Sequence, residues 1–187
     1  MGQSLGSLRQ RGVSLIEVLV TILILAIGLL GMAGLQVRLQ HSEMEAYQRS
    51  QALLLLNDMA NRIATNRGVA STYATGLSPL GTSVTCPSTT TTQRDRDLRE
   101  WCRSLKGAAE VLSSSRVGAM VGGRGCVEDL GSGSYRVSVV WQGLTPISAP
   151  PTELACGQDL YDQTGTNCQG DMCRRIVSTI VRVADLK

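Results

Sequence analysis

Few side chains in this 187-residue chain are of types that carry out chemistry. His41 is the single histidine, and the sequence contains no nucleophile elbow, phosphate-binding loop or cluster of metal ligands. The glycine-rich stretch at residues 122–125 lacks the flanking strand and helix of a nucleotide site and is interpreted as a turn. The net charge of +3 is too small to indicate a nucleic-acid partner. The sequence therefore predicts no catalytic residue, no metal site and no cofactor.

The cysteines are the second group of reactive side chains, and their even number favours an oxidising compartment. They are Cys86, Cys102, Cys126, Cys156, Cys168 and Cys173. We expect Cys86 to pair with Cys102, and the other four to pair among themselves and tie a long loop to a sheet. An unpaired core Cys102 is the alternative. Zinc is disfavoured because no second close pair of cysteines and no neighbouring histidine is present.

One carboxylate, Glu17, stands inside an apolar run at residues 13–35 and is the only charged residue of that run. As a helix the run is about 34 Å long, enough for a bilayer core of about 30 Å. Arg9 and Arg11 precede it without acidic residues, which favours a cytoplasmic N-terminus and a periplasmic remainder. A secretory signal peptide is the competing interpretation, but its apolar region is shorter, about 7–15 residues. We predict a single membrane span.

The helical pattern continues beyond the span. Residues 13–66 contain no proline and end at Asn66, before Arg67-Gly68, a typical helix end signal. We predict one helix over residues 13–66 whose second half packs on a domain through an apolar stripe. The predicted stripe consists of Leu39, Tyr47, Leu53, Leu56, Ala60 and Ile63.

Residues 67–187 predict a small α+β domain. A helix is expected to begin near Asp95 or Asp97, with one apolar face formed by Leu98, Trp101, Cys102, Leu105, Ala109 and Leu112. Strands are predicted at residues 125–130 and 134–142, joined by a turn at 131–133, and at 174–184. A long loop spans residues 143–173. The expected fold is an antiparallel sheet of three or more strands packed on the long helix.

The segment Arg11-Gly12-Val13-Ser14-Leu15-Ile16-Glu17 resembles the class III signal of type IV prepilins. It combines a basic leader, a glycine before the cut, a glutamate as fifth mature residue and a following span. The resemblance implies that prepilin peptidase cuts between Gly12 and Val13 and N-methylates Val13, although such proteins usually begin with phenylalanine there. It also implies that Glu17 pairs with the new amine of a neighbouring subunit. The alternative for Glu17 is a headgroup position without a role.

The segments DLREWCRSL and YRVSVVWQ further resemble PilV-type minor pilins, also called type IV pilus modification proteins. The resemblance implies the type IV pilin fold and three regions: a leader at 1–12, a helix at 13–66 with its membrane half at 13–35, and a periplasmic domain at 67–187. The implied function is that of a non-enzymatic subunit that primes pilus assembly or caps the tip. The implied location is the inner membrane and then the pilus.

The implied partners are prepilin peptidase, the other minor pilins and the major pilin through the N-terminal helix, the inner-membrane assembly platform and a tip adhesin. The resemblance does not choose between twitching motility, adhesion and DNA uptake. Two alternatives stay open. One is a minor pseudopilin of a type II secretion system, and the other is a membrane-anchored periplasmic enzyme or binding protein.

Overall fold

The computed structural model describes residues 14–107, 111–112, 115–116 and 120–184. The chain divides into two compact units, Met1–Ser42 and Glu43–Lys187. Helix α1 runs over Leu15–Thr65, so the prediction of one long N-terminal helix is confirmed. Ser14 and Asn66 flank the helix, and Val13 lies outside the described residues. A short 3-10 helix follows at Arg67–Tyr73.

The Glu43–Lys187 unit contains a four-stranded antiparallel sheet in the order β1-β4-β5-β6. Its strands are β1 (Leu80–Gly81), β4 (Arg124–Gly131), β5 (Ser134–Gln142) and β6 (Arg174–Arg182). The three predicted strands are present, and the last ends two residues earlier than expected. β1 was not predicted, because two residues are too few to show an alternating pattern. Together with α1 this sheet confirms the predicted α+β class.

Helix α2 occupies Gln93–Leu105, so the predicted helix is present and begins near Asp95, but it ends earlier than predicted. It begins two residues before Asp95, because Thr92 caps it and exchanges hydrogen bonds with that aspartate. It ends before Gly107, whose φ of +78° suits a helix end. Leu112 therefore lies in β2 (Val111–Leu112), which pairs with β3 (Ser115–Arg116). Ala109, the other residue predicted on the helix, lies outside the described residues.

The buried face of α1 differs from the predicted stripe. It consists of Gln48, Ala52, Leu56, Met59 and Ile63. Leu39, Tyr47 and Leu53 are 40–53% exposed, and Ala60 is half-buried. Of the predicted stripe, Leu56 and Ile63 are buried. Gln48 is polar, so an apolar stripe does not predict that it lies on the buried face. Its side-chain Oε1 accepts a hydrogen bond from the backbone N–H of Val121 at 3.1 Å, which allows burial at the sheet side of the helix.

Trp101 of α2 is fully buried and connects the helix to both α1 and the sheet. Its indole N–H donates to the backbone oxygen of Leu55 at 2.9 Å. Gly125 of β4 lies beneath the ring, where an added Cβ would come within 2.3 Å of the ring atom Cη2. Only glycine therefore fits in the strand at this point. The glycine-rich segment 122–125 thus combines a turn at Gly122, with φ of +64°, and a packing site at Gly125.

Asp97 is a buried carboxylate, 2% exposed, at the junction of α1, α2 and the 3-10 helix. It accepts hydrogen bonds from Tyr73 at 2.5 Å, Arg62 at 2.7 Å and Gln93 at 2.9 Å, and a longer one from Asn66 at 3.3 Å. Burial raises the pKa of Tyr73, and its hydrogen bond to Asp97 raises it further. The carboxylate therefore holds three elements through a saturated set of donors.

The same cluster keeps Arg62 charged. Burial acts to lower the pKa of its guanidinium, but hydrogen bonds to Asp58 and Glu100, and then to Asp97, raise it overall. The distances to Asp58 and Glu100 are both 2.9 Å. Arg62 thus remains a cation across the physiological range and neutralises the buried carboxylate.

Replacing Asp97 tests this junction. Asp97→Ala leaves the Arg62 guanidinium and the Tyr73 hydroxyl without their buried acceptor and should lower the free energy of unfolding by about 3–5 kcal/mol. The matched control is Glu100→Gln, an exposed partner of the same arginine, which should cost less than about 1 kcal/mol. Guanidinium denaturation of the full chain in detergent, followed by tryptophan fluorescence, measures both. Equal midpoints for the two variants would contradict the assignment.

Candidate functional site

The apolar run of α1 is exposed along its whole described length. Every residue from Ser14 to Ser42 is solvent-exposed. The most apolar 18-residue window of α1 has a mean hydropathy of 2.7 and none of it is buried. By length and composition, the helix is long and apolar enough to cross a membrane. No described part of the chain covers these side chains, so they are available to lipid or to other helices.

Glu17 lies in the first turn of this helix, where a carboxylate is favoured by the helix dipole. Its backbone N–H donates to the oxygen of Ser14 at 3.0 Å. Within the described residues its carboxylate has no ion-pair partner. Gly12 and Val13, at which cleavage and N-methylation are predicted, lie outside the described residues.

His41 is exposed on α1. Among the described residues, no group of three or more histidine, cysteine, aspartate or glutamate side chains is arranged to hold a metal ion.

Three disulfides join the six cysteines. They are Cys86–Cys102, Cys126–Cys156 and Cys168–Cys173. The first is the pairing expected from the sequence, and it attaches the loop after β1 to α2. Because Cys102 is bonded, the alternative of an unpaired core cysteine is wrong. The second joins β4 to the long loop before β6, and the third closes a short segment within that loop.

The Cys126–Cys156 bridge lies in a small apolar cluster on the sheet face opposite α1, together with Val140 and Tyr161. The Tyr161 hydroxyl donates to the backbone oxygen of Gly122 at 2.8 Å. Burial raises the pKa of Tyr161 to about 12, although the nearby Arg124 guanidinium, 4.9 Å from the ring centroid, acts in the opposite direction. This cluster fixes the middle of the long loop on β4 and β5.

Arg174 also holds this loop, and sequence reasoning missed it. It is 2% exposed. Its Nη1 donates to the backbone oxygens of Leu154 at 2.6 Å and Cys156 at 3.0 Å, and its Nη2 contacts Asp171 at 2.9 Å. The only sequence signal was a pair of arginines at the start of a predicted strand, an unusual place for a buried charge.

The neighbouring Arg175 connects β6 to α1. Its Nε and Nη2 donate to the two carboxylate oxygens of Glu45, each at 3.3 Å. The Glu45 carboxylate also accepts from the backbone N–H of Leu144 at 2.9 Å. The beginning of the long loop is thereby fixed within the Glu43–Lys187 unit.

Comparison with protein families adds to this geometry. Residues 34–110 match the family model described as type IV pilin Tt1218, and residues 7–33 match the prokaryotic N-terminal methylation motif. Over these residues the chain is similar to type IV pilins. The methylation motif covers the segment around Gly12 and Glu17, and the pilin match begins where it ends. Neither match is specific to PilV-type minor pilins, and no significant match was found among curated proteins or solved structures.

The lengths of chain that two of the disulfides close predict which of them contributes more to stability. In the chain-entropy description, a bridge over 30 residues stabilises by about 3.6 kcal/mol and one over 5 residues by about 2 kcal/mol. Replacing Cys126 and Cys156 by serine should therefore lower the denaturation midpoint more than replacing Cys168 and Cys173. The first pair is also fully buried at Cys126 and Cys156, which adds a packing cost. An equal or reversed order would contradict this ranking.

The raised pKa of Tyr161 predicts that the free energy of unfolding decreases at alkaline pH. The folded protein keeps its proton to about pH 12, whereas the unfolded chain loses it near pH 10. The contribution of the Tyr161 hydroxyl to the free energy of unfolding is complete below about pH 10. It falls by up to about 1.4 kcal/mol per pH unit between about pH 10 and pH 12. Denaturation midpoints measured between about pH 9 and 11 should fall more steeply for the wild type than for Tyr161→Phe. Parallel curves would show that this phenol does not contribute.

Proposed function

We propose that this protein is a minor pilin, a non-enzymatic subunit that helps to prime a type IV pilus or to cap its tip. The observation that carries the proposal is the exposed apolar run of α1. Its one charged residue, Glu17, has no ion-pair partner within the described residues and lies inside the region that matches the methylation motif. Type IV pilins are structural subunits, and the described residues offer surfaces rather than a catalytic constellation. In this proposal, assembly is the function.

The proposed maturation begins at residues 1–12, the leader, with Arg9 and Arg11 holding it in the cytoplasm. Prepilin peptidase cuts between Gly12 and Val13 and N-methylates Val13. The new amine is a cation, and Glu17 of an adjacent subunit supplies its counter-charge. Pairing neutralises both groups in the low-dielectric bundle of helices, where an isolated charge is costly.

The proposed arrangement places residues 13–35 in the inner membrane and residues 67–187 in the periplasm. There the three disulfides suit an oxidising compartment. The helix would then pack against other minor pilins and the major pilin at the assembly platform. The folded domain would remain available for neighbouring subunits or a tip adhesin.

Two substitutions separate processing from assembly. Gly12→Val should block cleavage, so that the chain keeps its leader in immunoblots and N-terminal mass spectrometry. Glu17→Ala should be cut normally but enter sheared filaments at least about tenfold less, since the counter-charge is lost. Glu43→Ala is the matched control, an exposed glutamate on the same helix beyond the apolar run. Normal processing of Gly12→Val would count against the proposal.

The phenotype of a deletion strain distinguishes a type IV pilus from the pseudopilus of a type II secretion system. Loss of twitching or surface pili with intact protein secretion supports the pilus assignment. Loss of secretion with normal pili assigns the chain to the pseudopilus of a type II secretion system and contradicts the pilus proposal.

A further inference from the structure

Strand β6 forms one edge of the sheet and pairs with β5 alone among the described strands. Backbone hydrogen bonds from Gly143 to Cys173 and from Val183 to Gly133, each 2.8 Å, extend the pair at its two ends. Successive residues of an antiparallel strand direct their backbone groups to alternate sides. The odd-numbered residues of β6 therefore bond to β5. The even-numbered ones direct N–H and C=O to the open edge. Beyond Arg174, whose N–H donates to the backbone oxygen of Asp171, they are Ile176, Ser178, Ile180 and Arg182.

This edge is accessible. Ser178, Ile180 and Arg182 are exposed, and Ile180 presents 53% of its surface. In the described chain, no backbone hydrogen bond from outside the sheet reaches residues 176–182. The pairing with β5 is regular over nine residues, without a bulge or a proline. Proteins usually protect such edges, because their free backbone groups are a template for another strand.

An apolar groove lies at the start of the same strand, within the Glu43–Lys187 unit. Its volume is about 460 Å³, in the range of binding pockets. Apolar lining comes from Trp141, Ile147, Pro151, Leu154 and Ile176. A groove continuous with an open strand edge can take a side chain of the strand that pairs there.

Some of the arginines around the groove form ion pairs within this chain, whereas others have no ion-pair partner among the described residues. Arg174 and Arg175 line it, but each is paired with a carboxylate of this chain, Asp171 and Glu45 respectively. Arg49 also lines it, is exposed, and has no ion-pair partner within the described ranges. Arg182, at the far end of the strand, likewise has none among the described residues. Both ends of the edge therefore favour a negatively charged partner.

We propose that the β6 edge and the adjoining groove bind an extended segment of another polypeptide, which adds to the sheet as a fifth strand. The segment places an apolar side chain in the groove and carries carboxylates near its ends, facing Arg49 and Arg182. From Ile176 to Arg182 the edge is about 20 Å long at ~3.4 Å per residue, so about seven residues of the partner are engaged. The proposal goes beyond the assembly role and does not depend on which filament the chain joins.

The test uses the full chain in detergent and a fluorescein-labelled peptide, Asp-Ile-Thr-Val-Thr-Val-Asp, with blocked termini. Fluorescence anisotropy should show saturable binding. Ser178→Pro removes an outward N–H and should weaken the Kd about tenfold, whereas Ser178→Ala should change it less than about twofold. Arg49→Glu should weaken binding about fivefold at low ionic strength, and this effect should shrink as salt is added.

Absence of saturable binding, or an unchanged Kd for Ser178→Pro, overturns the proposal. If Ser178→Pro does not fold, the test is the binding of the wild-type chain to the same peptide carrying N-methyl groups at alternate backbone nitrogens. Strand addition requires that this peptide bind at least about tenfold more weakly. Light scattering without peptide tests whether the edge instead binds a second copy of this chain. A wild-type dimer that becomes monomeric in Ser178→Pro would assign the edge to a second copy of this chain and overturn the choice of partner.

Discussion

The hydrogen-bonded carboxylate of Asp97 is the contact on which the arrangement of the Glu43–Lys187 unit depends. Four donors from α1, α2 and the intervening connection converge on it. A buried charge is tolerated only when it is neutralised and fully bonded, so the positions of Arg62 and Tyr73 are restricted as well. With α2 held in this way, Trp101 reaches the backbone of α1 and the glycine site in β4. The sheet and both helices thus share one core.

Helix α1 combines two kinds of surface in one continuous element. Its first part is apolar all round, whereas its later part buries a single face that includes Gln48. A helix that is apolar on every side has no polar face for water and suits lipid or neighbouring helices. Glu17 is the exception in that surface, and the proposed assembly role gives it a partner. The chemistry proposed for this protein is therefore one ion pair between subunits.

The long loop before β6 is ordered by specific ties rather than by regular structure. A disulfide to β4, the buried Arg174 and the Tyr161 cluster attach it to one side of the sheet. With the loop held there, the outer edge of β6 stays uncovered and the groove beside Trp141 stays open. The same ties that stabilise an irregular segment thus leave a strand edge and a groove open beside it.

The sequence by itself determined the features that depend on neighbours along the chain: the apolar run, the β4–β5 hairpin and strand β6. It favoured the pairing of Cys86 with Cys102 without excluding others. Only the tertiary structure decided which face of α1 is buried, because Gln48 needs the backbone of Val121, 73 residues away. It likewise decided the other two cysteine pairs, the short strand β1, and the burial of Asp97 and Arg174. Local patterns report the solvent preference of a segment, whereas a buried polar group is stable only when distant residues supply its partners.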